Sequence, residues 1–407
     1  MMFIYFQTIA CLLPFAILVS LVYIAPPEVP TAELPSDDIP RMDSKTNHFR
    51  YKDPEFSYQQ TKEYETKFAE IFKTFPNHQN STKYLIYFCD IECGGLGDRL
   101  KGIVKVYMLS ILSRRRFGIR MKEPSDIENF LQPHVIDWRV NEAEIAGKDR
   151  KTVDYKTLHD FIAIDLETHD RDPEKVLKTD VIFMRANQDW TKTLRKLKVS
   201  PERFPQIYQH PSSDLTRIIY NGLFKPTDTL QRLVHNFFEE KVGGKKLACL
   251  HARMGESNHT RYSFDVIKTP LDFLKQYDSQ PNYKIMIATD NDHVKNYSRT
   301  FFKNFIDTDF SGSIMHIDYM QNNTVDARTR ETGFMHSLLD HMILARCDTL
   351  ILTMSGFGVT AASLRYTSAE LFVYMKNEVF PVRRELLREV FQWRCISHAK
   401  TGYVCDG

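Results

Sequence analysis

Residues 84–116 read YLIYFCDIECGGLGDRLKGIVKVYMLSILSRRR, and this stretch decides the fold. Its first six residues form an apolar run with the length of a buried strand. From Asp98 to Arg116 apolar residues recur every three or four positions, which predicts a helix. The turn between the two contains three glycines, Gly94, Gly95 and Gly97. Such a turn brings backbone N–H groups and the positive end of a helix dipole together, which favours a phosphate or the hydroxyls of a sugar nucleotide.

The same order of strand, turn and helix recurs along the chain, most clearly in its second half. Apolar runs bounded by turn residues predict further strands at Phe117–Met121, Val181–Met184, Lys246–His251, Tyr283–Ala288, Ile314–Ile317, Thr349–Met354 and Leu371–Met375. Helices are predicted from Asp292, over Arg328–Arg346 and over Val359–Arg365. Strands that alternate with helices indicate an α/β fold with parallel, doubly wound sheets, in which ligands bind beyond the carboxyl ends of the strands.

The bulk properties limit the class of partner. The chain has 407 residues, a length typical of two domains, and its formal net charge is only +2. A nearly neutral chain has no strong field with which to hold a polyanion, so we expect no nucleic-acid partner. The short basic cluster Arg114–Arg116 is interpreted as the solvated end of the first helix, where cations meet the negative end of the dipole.

The N-terminus predicts a membrane anchor followed by a stem. Phe3–Ile24 is uncharged, apolar and long enough to span a bilayer, and it is followed by no convincing cleavage site for a signal peptide. A signal-anchor helix over residues 3–24 is therefore preferred to a cleaved signal peptide. Residues 25–80 are rich in proline and polar residues, and are predicted to form a stem.

Cysteines and glycosylation sequons favour an oxidising, lumenal compartment. One cysteine, Cys11, lies within the apolar segment, and the other six are Cys89, Cys93, Cys249, Cys347, Cys395 and Cys405. An even number suits disulfides, and Cys395 with Cys405 is the first pairing we expect. Four N-x-S/T sequons mark candidate glycosylation sites at Asn80, Asn258, Asn296 and Asn322. Together these features predict a single-pass type II protein of the Golgi membrane with a lumenal body.

A second motif, His251-Ala-Arg-Met-Gly-Glu256, follows the predicted strand at Lys246–His251. The planar guanidinium of Arg253 suits a pyrophosphate because it offers paired donors and stays charged. His251 could hydrogen-bond a ribose or a phosphate oxygen. The alternative is a structural one, in which Arg253 pairs with Glu256 beside a histidine of the core. Zinc is less favoured, because no further pair of ligands at metal spacing accompanies Cys249 and His251.

Two more turns follow predicted strands. Asp290, after Thr289, could accept a hydrogen bond from a base amine or a ribose hydroxyl, or could cap the next helix. Ser355-Gly356-Phe357-Gly358 could cradle an anion with successive backbone amides, or could be a plain glycine turn whose Phe357 packs into the core. The loop at Gly94–Arg99 could also be a tight turn without a ligand, since it matches neither a dinucleotide fingerprint nor a P-loop.

One helix carries a further group of polar residues, His336, Asp340 and His341. His336 and Asp340 are four positions apart and could share a face. A metal site there is conceivable, but an amphipathic helix with polar outer positions is the preferred interpretation.

In order and spacing, Gly-Gly-Leu-Gly-Asp-Arg (94–99), His-x-Arg-x-Gly-Glu (251–256), Ala-Thr-Asp (288–290) and Ser-Gly-Phe-Gly (355–358) resemble the motifs of the GDP-fucose-dependent fucosyltransferase superfamily. That group includes α1,2-, α1,6- and protein O-fucosyltransferases. The resemblance covers about residues 82 to 380 and looks like a membrane-anchored invertebrate member. It implies a GT-B fold, in which two Rossmann-like domains face a cleft, here at residues 81–240 and 241–385, followed by a tail at 386–407.

The resemblance also implies roles for individual residues. Arg253 would hold the β-phosphate of the donor, and His251 would assist at the nucleotide. The other donor-binding residues would be Gly95, Gly97, Arg99, Asp290, Ser355, Gly356 and Phe357. The chain departs from the family where Asp98 replaces asparagine, Glu256 replaces aspartate, and Gly356 and Gly358 replace serines.

The predicted function is transfer of fucose from GDP-fucose to a hydroxyl of a glycan or glycoprotein, with inversion as the resemblance implies. Arg253 and the helix-end amides near Ser355 would stabilise the charge that grows on the leaving GDP. No cofactor besides the donor and no metal is expected. Asp98 and Glu256 are the candidates for a general base. The alternatives are a lumenal module on the same fold that binds a sugar or partner without turnover, and a Golgi sulfotransferase.

Overall fold

The computed structural model describes residues 58–90, 93–155, 172–256, 259–260, 262–309, 325–366 and 370–387. The helices are α1 (Tyr58–Lys73), α2 (Leu96–Leu112), α3 (Glu142–Ile145), α4 (Pro173–Val176), α5 (Thr191–Arg195), α6 (Ser200–Arg203), α7 (Gln206–Gln209), α8 (Ser212–Leu223), α9 (Asp228–Asn236), α10 (Phe264–Asp278), α11 (Asp292–Phe301), α12 (Ala327–Leu344) and α13 (Gly356–Leu364). A π-helical segment, Phe237–Val242, continues α9, and two 3₁₀ turns lie at Ile127–Asn129 and Arg384–Leu386.

The strands are β1 (Tyr84–Cys89), β2 (Arg116–Met121), β3 (Leu131–Pro133), β4 (Arg150–Tyr155), β5 (Val181–Ala186), β6 (Phe224–Pro226), β7 (Lys246–Ala252), β8 (Gly255–Glu256), β9 (His259–Thr260), β10 (Tyr283–Thr289), β11 (Thr349–Leu352), β12 (Leu371–Met375) and β13 (Glu378–Pro381). The predicted anchor, the expected strand at Ile314–Ile317 and the expected Cys395–Cys405 pair lie outside the described residues. Within those residues, no helix combines the length and the apolar character needed to cross a bilayer.

The first sheet has the strand order β2-β1-β5-β4, and all of its pairs are parallel. The chain leaves β1 through the glycine turn and α2 to reach β2 on one side, and later adds β5 and β4 on the other side. The crevice between β1 and β5 is therefore a topological switch point, where ligands of open α/β sheets bind. Because β1 is covered on both faces, five of its six residues are buried, as the continuous apolar run predicts.

The second sheet has the order β10-β7-β11-β12-β13, parallel except for the last, antiparallel pair. From β7 the chain first runs to β10 on one side and then to β11 and β12 on the other. Its switch point lies between β7 and β11, next to the segments that follow both strands. Two mainly parallel sheets with flanking helices confirm the predicted fold class, an α/β fold of doubly wound type.

Residues 58–75 correct the predicted extent of the stem. They form α1 and a short turn, and four of their apolar side chains, Phe68, Ala69, Phe72 and Phe75, are buried in or against the main core. The ring of Phe72 lies over Gly222 of α8, where even a methyl group would come within 2.1 Å of it. The amphipathic spacing of α1 was hidden by the many charged and polar residues between its aromatic positions.

The first predicted helix also ends earlier than the sequence indicates. α2 ends at Leu112, Arg114 has a left-handed φ of 53°, and Arg116 begins β2. Arg115 is buried rather than solvated, and its guanidinium donates to the Thr179 carbonyl at 2.7 Å and to that of Leu177. The cluster therefore includes a buried arginine that satisfies carbonyl groups at the edge of the first sheet.

α2 joins the two sheets. Fifteen of its seventeen residues are buried. Gly102 lies on the carbonyl of Ala186 in the first sheet, and Gly97 lies on the backbone of Gly356 and Phe357 at the start of α13. The largest core cluster accordingly continues from Leu85 and Ile182 of the first sheet to Leu350 and Leu352 of the second.

Two disulfides appear among the described cysteines. Cys89 at the end of β1 pairs with Cys93 at the start of the glycine turn, and Cys249 in β7 pairs with Cys347 just before β11. The first pair restrains the entry to the glycine turn. The second links two neighbouring strands of the second sheet through a wide loop of 98 residues.

Candidate functional site

The motifs that the sequence singles out meet at the carboxyl edge of the second sheet. The residues that follow β7, β10 and β11 are neighbours there, because Ala252 is in register with Thr289, and His251 with Leu352. Arg253, Asp290 and Ser355 therefore emerge from adjacent strands. This edge is the side of the switch point at which a doubly wound sheet holds a ligand.

Asp290 organises the turn that carries Arg253. Its carboxylate forms an ion pair with the guanidinium and also accepts the N–H groups of Met254, at 2.7 Å, and Gly255, at 3.2 Å. A carboxylate that accepts several charge-assisted or backbone hydrogen bonds fixes both partners in place. The first role of Asp290 in this structure is to position Arg253 and the backbone that follows it.

This arrangement corrects one sequence alternative for Asp290. The residue that caps α11 is Asn291, whose Oδ1 accepts the N–H of Val294 at 3.1 Å. Asp290 is one position too early in the chain for that role, and its carboxylate points back to the turn after β7. Thr289, which ends β10, is buried, and its hydroxyl has no hydrogen-bond partner among the described residues.

Arg253 is sheltered at this edge. Its side chain is 7% exposed and forms an ion pair with Asp290, a partner that the sequence alternatives did not name. Glu256 pairs through its backbone with His259 in the two-stranded β8–β9 ribbon, and its side chain lies outside the described atoms. The Arg253 N–H donates to the hydroxyl of Thr353 at 2.8 Å, which in turn donates to the His251 carbonyl at 3.0 Å. Strands β7 and β11 are thereby joined at their ends.

His251 lies on the face of the second sheet that α13 covers. Its ring stacks on Phe357, with 5.1 Å between ring centroids and 24° between the planes. A Cβ on Gly358 would fall 2.7 Å from His251 Nδ1, so the ring occupies the space that a side chain at position 358 would need. His251 is therefore fitted to the first turn of α13, and its ring and that of Phe357 are in contact.

A second histidine supports the same turn and corrects the predicted outer position of His341, which is fully buried, as Asp340 beside it nearly is. His341 in α12 meets the other side of Phe357, with its ring edge-on at 5.1 Å, and its Nε2 lies 3.0 Å from the hydroxyl of Thr360. Thr360 donates back to the carbonyls of Gly356 and Phe357. Complete burial lowers the pKa of His341 to about 3, so this ring is neutral.

Ser355 is the N-cap residue of α13, and its Oγ accepts the N–H of Phe357 at 3.3 Å. The hydroxyl that the sequence assigned to an anion is therefore engaged in capping. The helix itself presents the positive end of its dipole at this point, next to Gly356.

The glycine turn of the first sheet reaches the same place. Gly94 has a left-handed φ of 83°, Gly95 is the N-cap residue of α2, and Gly97 touches the peptide between Gly356 and Phe357. A Cβ on Gly97 would lie 2.3 Å from the Gly356 carbonyl. The positive ends of two helices, one from each sheet, thus meet at one point, which concentrates positive potential there.

Asp98 and Lys101 lie at this meeting point. Lys101 Nζ is 2.7 Å from Asp98 Oδ1, and their side chains are 25% and 37% exposed. A Cβ on Gly356 would come within 2.7 Å of the Asp98 carboxylate and 3.4 Å of the Lys101 ammonium. Lys101 is a residue that the sequence motifs did not identify, although its position one turn after Asp98 predicts the pair.

Arg99 does not line a cleft in this structure. It is fully buried, its Nε donates to the Gly94 carbonyl at 2.7 Å, and its Nη1 donates to the Glu123 carbonyl. These carbonyls belong to irregular backbone that pairs with no strand. The guanidinium donates hydrogen bonds to them and so fixes the shape of the glycine turn. This structural role takes the place of the predicted contact with the sugar nucleotide.

The remaining candidates lie apart from this site. Asn80 is exposed before β1, Asn296 is exposed on α11, and Asn258 and Asn322 lie outside the described residues. His336 meets Thr308 at 2.7 Å and Asp340 at 3.6 Å. In the described part of the chain, no group of three or more His, Cys, Asp or Glu side chains is arranged to hold a metal.

Comparisons with known proteins place the fold. No model of a protein family and no curated protein matches the chain. Among solved structures, a mutant of Arabidopsis thaliana FUT1 in complex with GDP is 13% identical, spans 82% of this chain and 83% of its own, and gives a TM-score of 0.51. The fucosyltransferase NodZ from Bradyrhizobium is 14% identical over 74% of this chain and 99% of its own, with a TM-score of 0.47. The likeness to the plant structure shows that the chain shares its fold.

Proposed function

We propose that this protein transfers fucose from GDP-fucose to a hydroxyl of a glycan or glycoprotein, with inversion at the sugar carbon. The observation that carries the proposal is the meeting of the starts of α2 and α13 at Gly97 and Gly356, at the carboxyl edge of the sheet whose strand β7 leads to Arg253. Two helix ends and a guanidinium suit a diphosphate. The shared fold supports the choice of nucleotide, since the plant structure holds GDP.

The proposed chemistry follows from where charge grows. The bond between the sugar carbon and the β-phosphate oxygen breaks, and its electron pair remains on GDP. The acceptor oxygen forms the new bond to that carbon and loses its proton to a base, for which Asp98 and Glu256 are the candidates. Arg253 and the amides at the start of α13 stabilise the departing charge, and one preorganised donor of this kind contributes about 3–4 kcal/mol.

We infer that the body works in the Golgi lumen, anchored by Phe3–Ile24 as a type II protein. Two disulfides support an oxidising compartment, because such bonds persist outside the cytosol. The exposed side chain of Asn80, before β1, supports a glycosylated lumenal face.

We also propose that transfer needs no divalent metal, since Arg253 and the two helix ends already offer positive charge to the diphosphate. Treatment with EDTA should leave the rate of transfer within about twofold of the untreated enzyme. A complete loss that added Mg²⁺ or Mn²⁺ restores would contradict this part of the proposal.

The test of the function is a calorimetric titration of the lumenal body with GDP-fucose, GDP-mannose and phosphoadenosyl phosphosulfate in parallel, followed by a transfer assay with radiolabelled GDP-fucose on mixed glycoprotein acceptors. We expect GDP-fucose to bind most tightly and to donate its sugar. Binding without transfer to any acceptor would instead support a non-catalytic module. Preference for the sulfate donor would support a sulfotransferase.

A further inference from the structure

The ion pair between Asp98 and Lys101 lies where the two sheets meet. Both residues belong to the first turns of α2, and the nearest side-chain atoms to a Cβ at Gly356 are Asp98 Oδ1 and Lys101 Nζ. The pair therefore borders the start of a helix in the other half of the molecule. The side chains of Lys101 and Asp98 keep 25% and 37% of their surface in solvent, so a ligand can reach them.

Gly356 and this pair fit each other. A Cβ at position 356 would lie 2.7 Å from Asp98 Oδ1, so the carboxylate would have to move to admit a side chain there. Gly356 itself contributes no polar side chain to the first turn of α13. The charged groups of Asp98 and Lys101, from the first turns of α2, lie in that space instead.

A further cation from the protein would add to the positive charge that Arg253 and the helix ends offer to a diphosphate. A sugar nucleotide carries negative charge on each of its two phosphates. Among the described residues, Arg253 is a cation that the second sheet contributes at this edge, and it is paired with Asp290. The helix ends contribute about half a charge each. Lys101 is a further cation, bordering the start of α13, and its partner Asp98 keeps 37% of its side-chain surface in solvent.

We propose that Lys101 leaves Asp98 on donor binding and contacts a phosphate oxygen, and that Asp98 then accepts the proton of the acceptor hydroxyl. This inference rests on the proposed function and adds to it a second donor-binding cation and a choice between the two candidate bases.

The exchange links donor binding to catalysis. While Lys101 is bound to Asp98, its ammonium occupies the carboxylate oxygen Oδ1 at 2.7 Å, where an acceptor hydroxyl would have to bind. Once the ammonium has moved to a phosphate, that oxygen is available to accept the proton. The acceptor oxygen then bonds to the sugar carbon, its proton passes to Asp98, and the electron pair of the broken bond stays on the phosphate that Lys101 and Arg253 hold. The base is thereby activated only when a donor is present.

The test compares the full lumenal body carrying Lys101→Met, Lys101→Arg or Asp98→Asn. Affinity for GDP is measured by calorimetry and turnover by fucose transfer. We expect Lys101→Met to weaken GDP binding by about tenfold or more, as for the loss of a charge-assisted contact, and Lys101→Arg to restore most of it. We expect Asp98→Asn to bind GDP at least as tightly as the wild type, because a competitor for Lys101 is gone.

The same Asp98→Asn variant should transfer fucose about a hundredfold more slowly and lose the rise of turnover with pH that reports a base. A matched control is Lys268→Met, which breaks a pair of the same spacing, 2.8 Å between Lys268 and Asp265, on the exposed side of α10. It should change both GDP affinity and turnover by less than about twofold.

Opposite effects of Lys101→Met and Asp98→Asn on GDP affinity distinguish this exchange from an ion pair with a purely structural role. Equal loss of affinity in Asp98→Asn and Lys101→Met would overturn the proposal, as would wild-type affinity in Lys101→Met or wild-type turnover in Asp98→Asn. Thermal unfolding of each variant shows whether it is folded. If the wild type bound no GDP, the proposed function itself would fall. If the wild type bound GDP and Lys101→Met did so equally well, only the exchange would fall.

Discussion

Gly97 of α2 lies against the peptide that joins Gly356 to Phe357 in α13, so close that a Cβ on Gly97 would fall 2.3 Å from the Gly356 carbonyl and 2.4 Å from the Phe357 nitrogen. Both partners are backbone atoms and have no rotamer by which to move away. The contact therefore fixes how closely the starts of the two helices approach, and with it the shape of the proposed diphosphate site.

The first prediction is that Gly97→Ala destabilises the protein and weakens GDP binding. Glycine to alanine inside a helix normally stabilises it by about 1 kcal/mol. Here the methyl group would push two helices apart, and overpacking of this kind costs about 1–3 kcal/mol. The free energy of unfolding, measured in urea, should fall, and affinity for GDP should fall with it.

The control for this prediction is Gly147→Ala, in a turn where a Cβ would meet nothing within 4 Å. The expected cost of this substitution is the strain of an alanine at a left-handed φ of 73°, about 1–2 kcal/mol. GDP affinity should not change. An increase in stability for Gly97→Ala would mean that the two helices do not touch as described.

The second prediction concerns an asymmetry between Arg253 and Asp290. Removing Arg253 leaves Asp290 with two backbone N–H donors, so Arg253→Ala should remain folded and lose fucose transfer. Removing the carboxylate in Asp290→Ala breaks the ion pair of a nearly buried guanidinium and takes the acceptor from two backbone amides. Breaking a buried pair in this way costs about 3–5 kcal/mol. Melting temperatures of the two variants should differ clearly, with Asp290→Ala the lower, while both lose transfer. Wild-type turnover in Arg253→Ala would contradict the role assigned to its guanidinium.

The sequence predicts the strands of this fold well where an apolar run is bounded by turn residues. The expected bounds of β1 and β12 are confirmed to the residue. β4 was missed because RKTVDY is polar, which an edge strand tolerates, and only its pairing with β5 identifies it. The start of the folded body was placed too late for a similar reason, because the apolar residues of α1 that reach the core are separated and preceded by many polar ones.

Much of the site could be predicted from the sequence and part of it could not. The motifs around Arg253, Asp290 and Ser355 follow strands that are adjacent in a parallel sheet, so their meeting follows from the alternation of elements. The contacts of Gly97 with Gly356, and of His341 with Phe357, depend on how one layer packs on another. No local pattern encodes such a distance. The burial of Arg99 was likewise unpredictable, since a motif arginine can face either a ligand or its own loop.

The third prediction is a loss of stability in acid that depends on His341. The ordinary pKa of histidine is 6.5, and burial lowers that of His341 to about 3 in the folded chain. Between these values the unfolded chain binds one more proton than the folded chain, so the free energy of unfolding falls as pH drops below about 6.5 and is unaffected above it. At pH 5 this histidine should lower stability by about 2 kcal/mol.

Urea unfolding at pH 5 and pH 7 measures the difference. His341→Phe keeps a ring against Phe357 but loses the hydrogen bond to Thr360. The difference in its free energy of unfolding between pH 7 and pH 5 should be smaller than that of the wild type by about 2 kcal/mol. His235→Phe, on the exposed surface of α9, should keep the wild-type dependence. If the free energy of unfolding of His341→Phe depended on pH as strongly as that of the wild type, the assignment of His341 as a neutral, buried ring would be wrong.

The fourth prediction separates the two disulfides by what each one stabilises. Cys249 and Cys347 close a loop of 98 residues, and the loss of loop entropy in the unfolded chain is worth about 4–5 kcal/mol, whereas the four-residue separation of Cys89 and Cys93 is worth only about 2 kcal/mol. The double variant Cys249→Ala, Cys347→Ala should therefore lower the melting temperature more than Cys89→Ala, Cys93→Ala.

Affinity for GDP, measured well below either melting temperature, should change in the reverse order, because only the short pair restrains the glycine turn beside Gly97. The four cysteines are all buried, so the small cavities left by alanine are similar in both variants. Equal effects on GDP affinity would mean that the glycine turn keeps its shape without the bond.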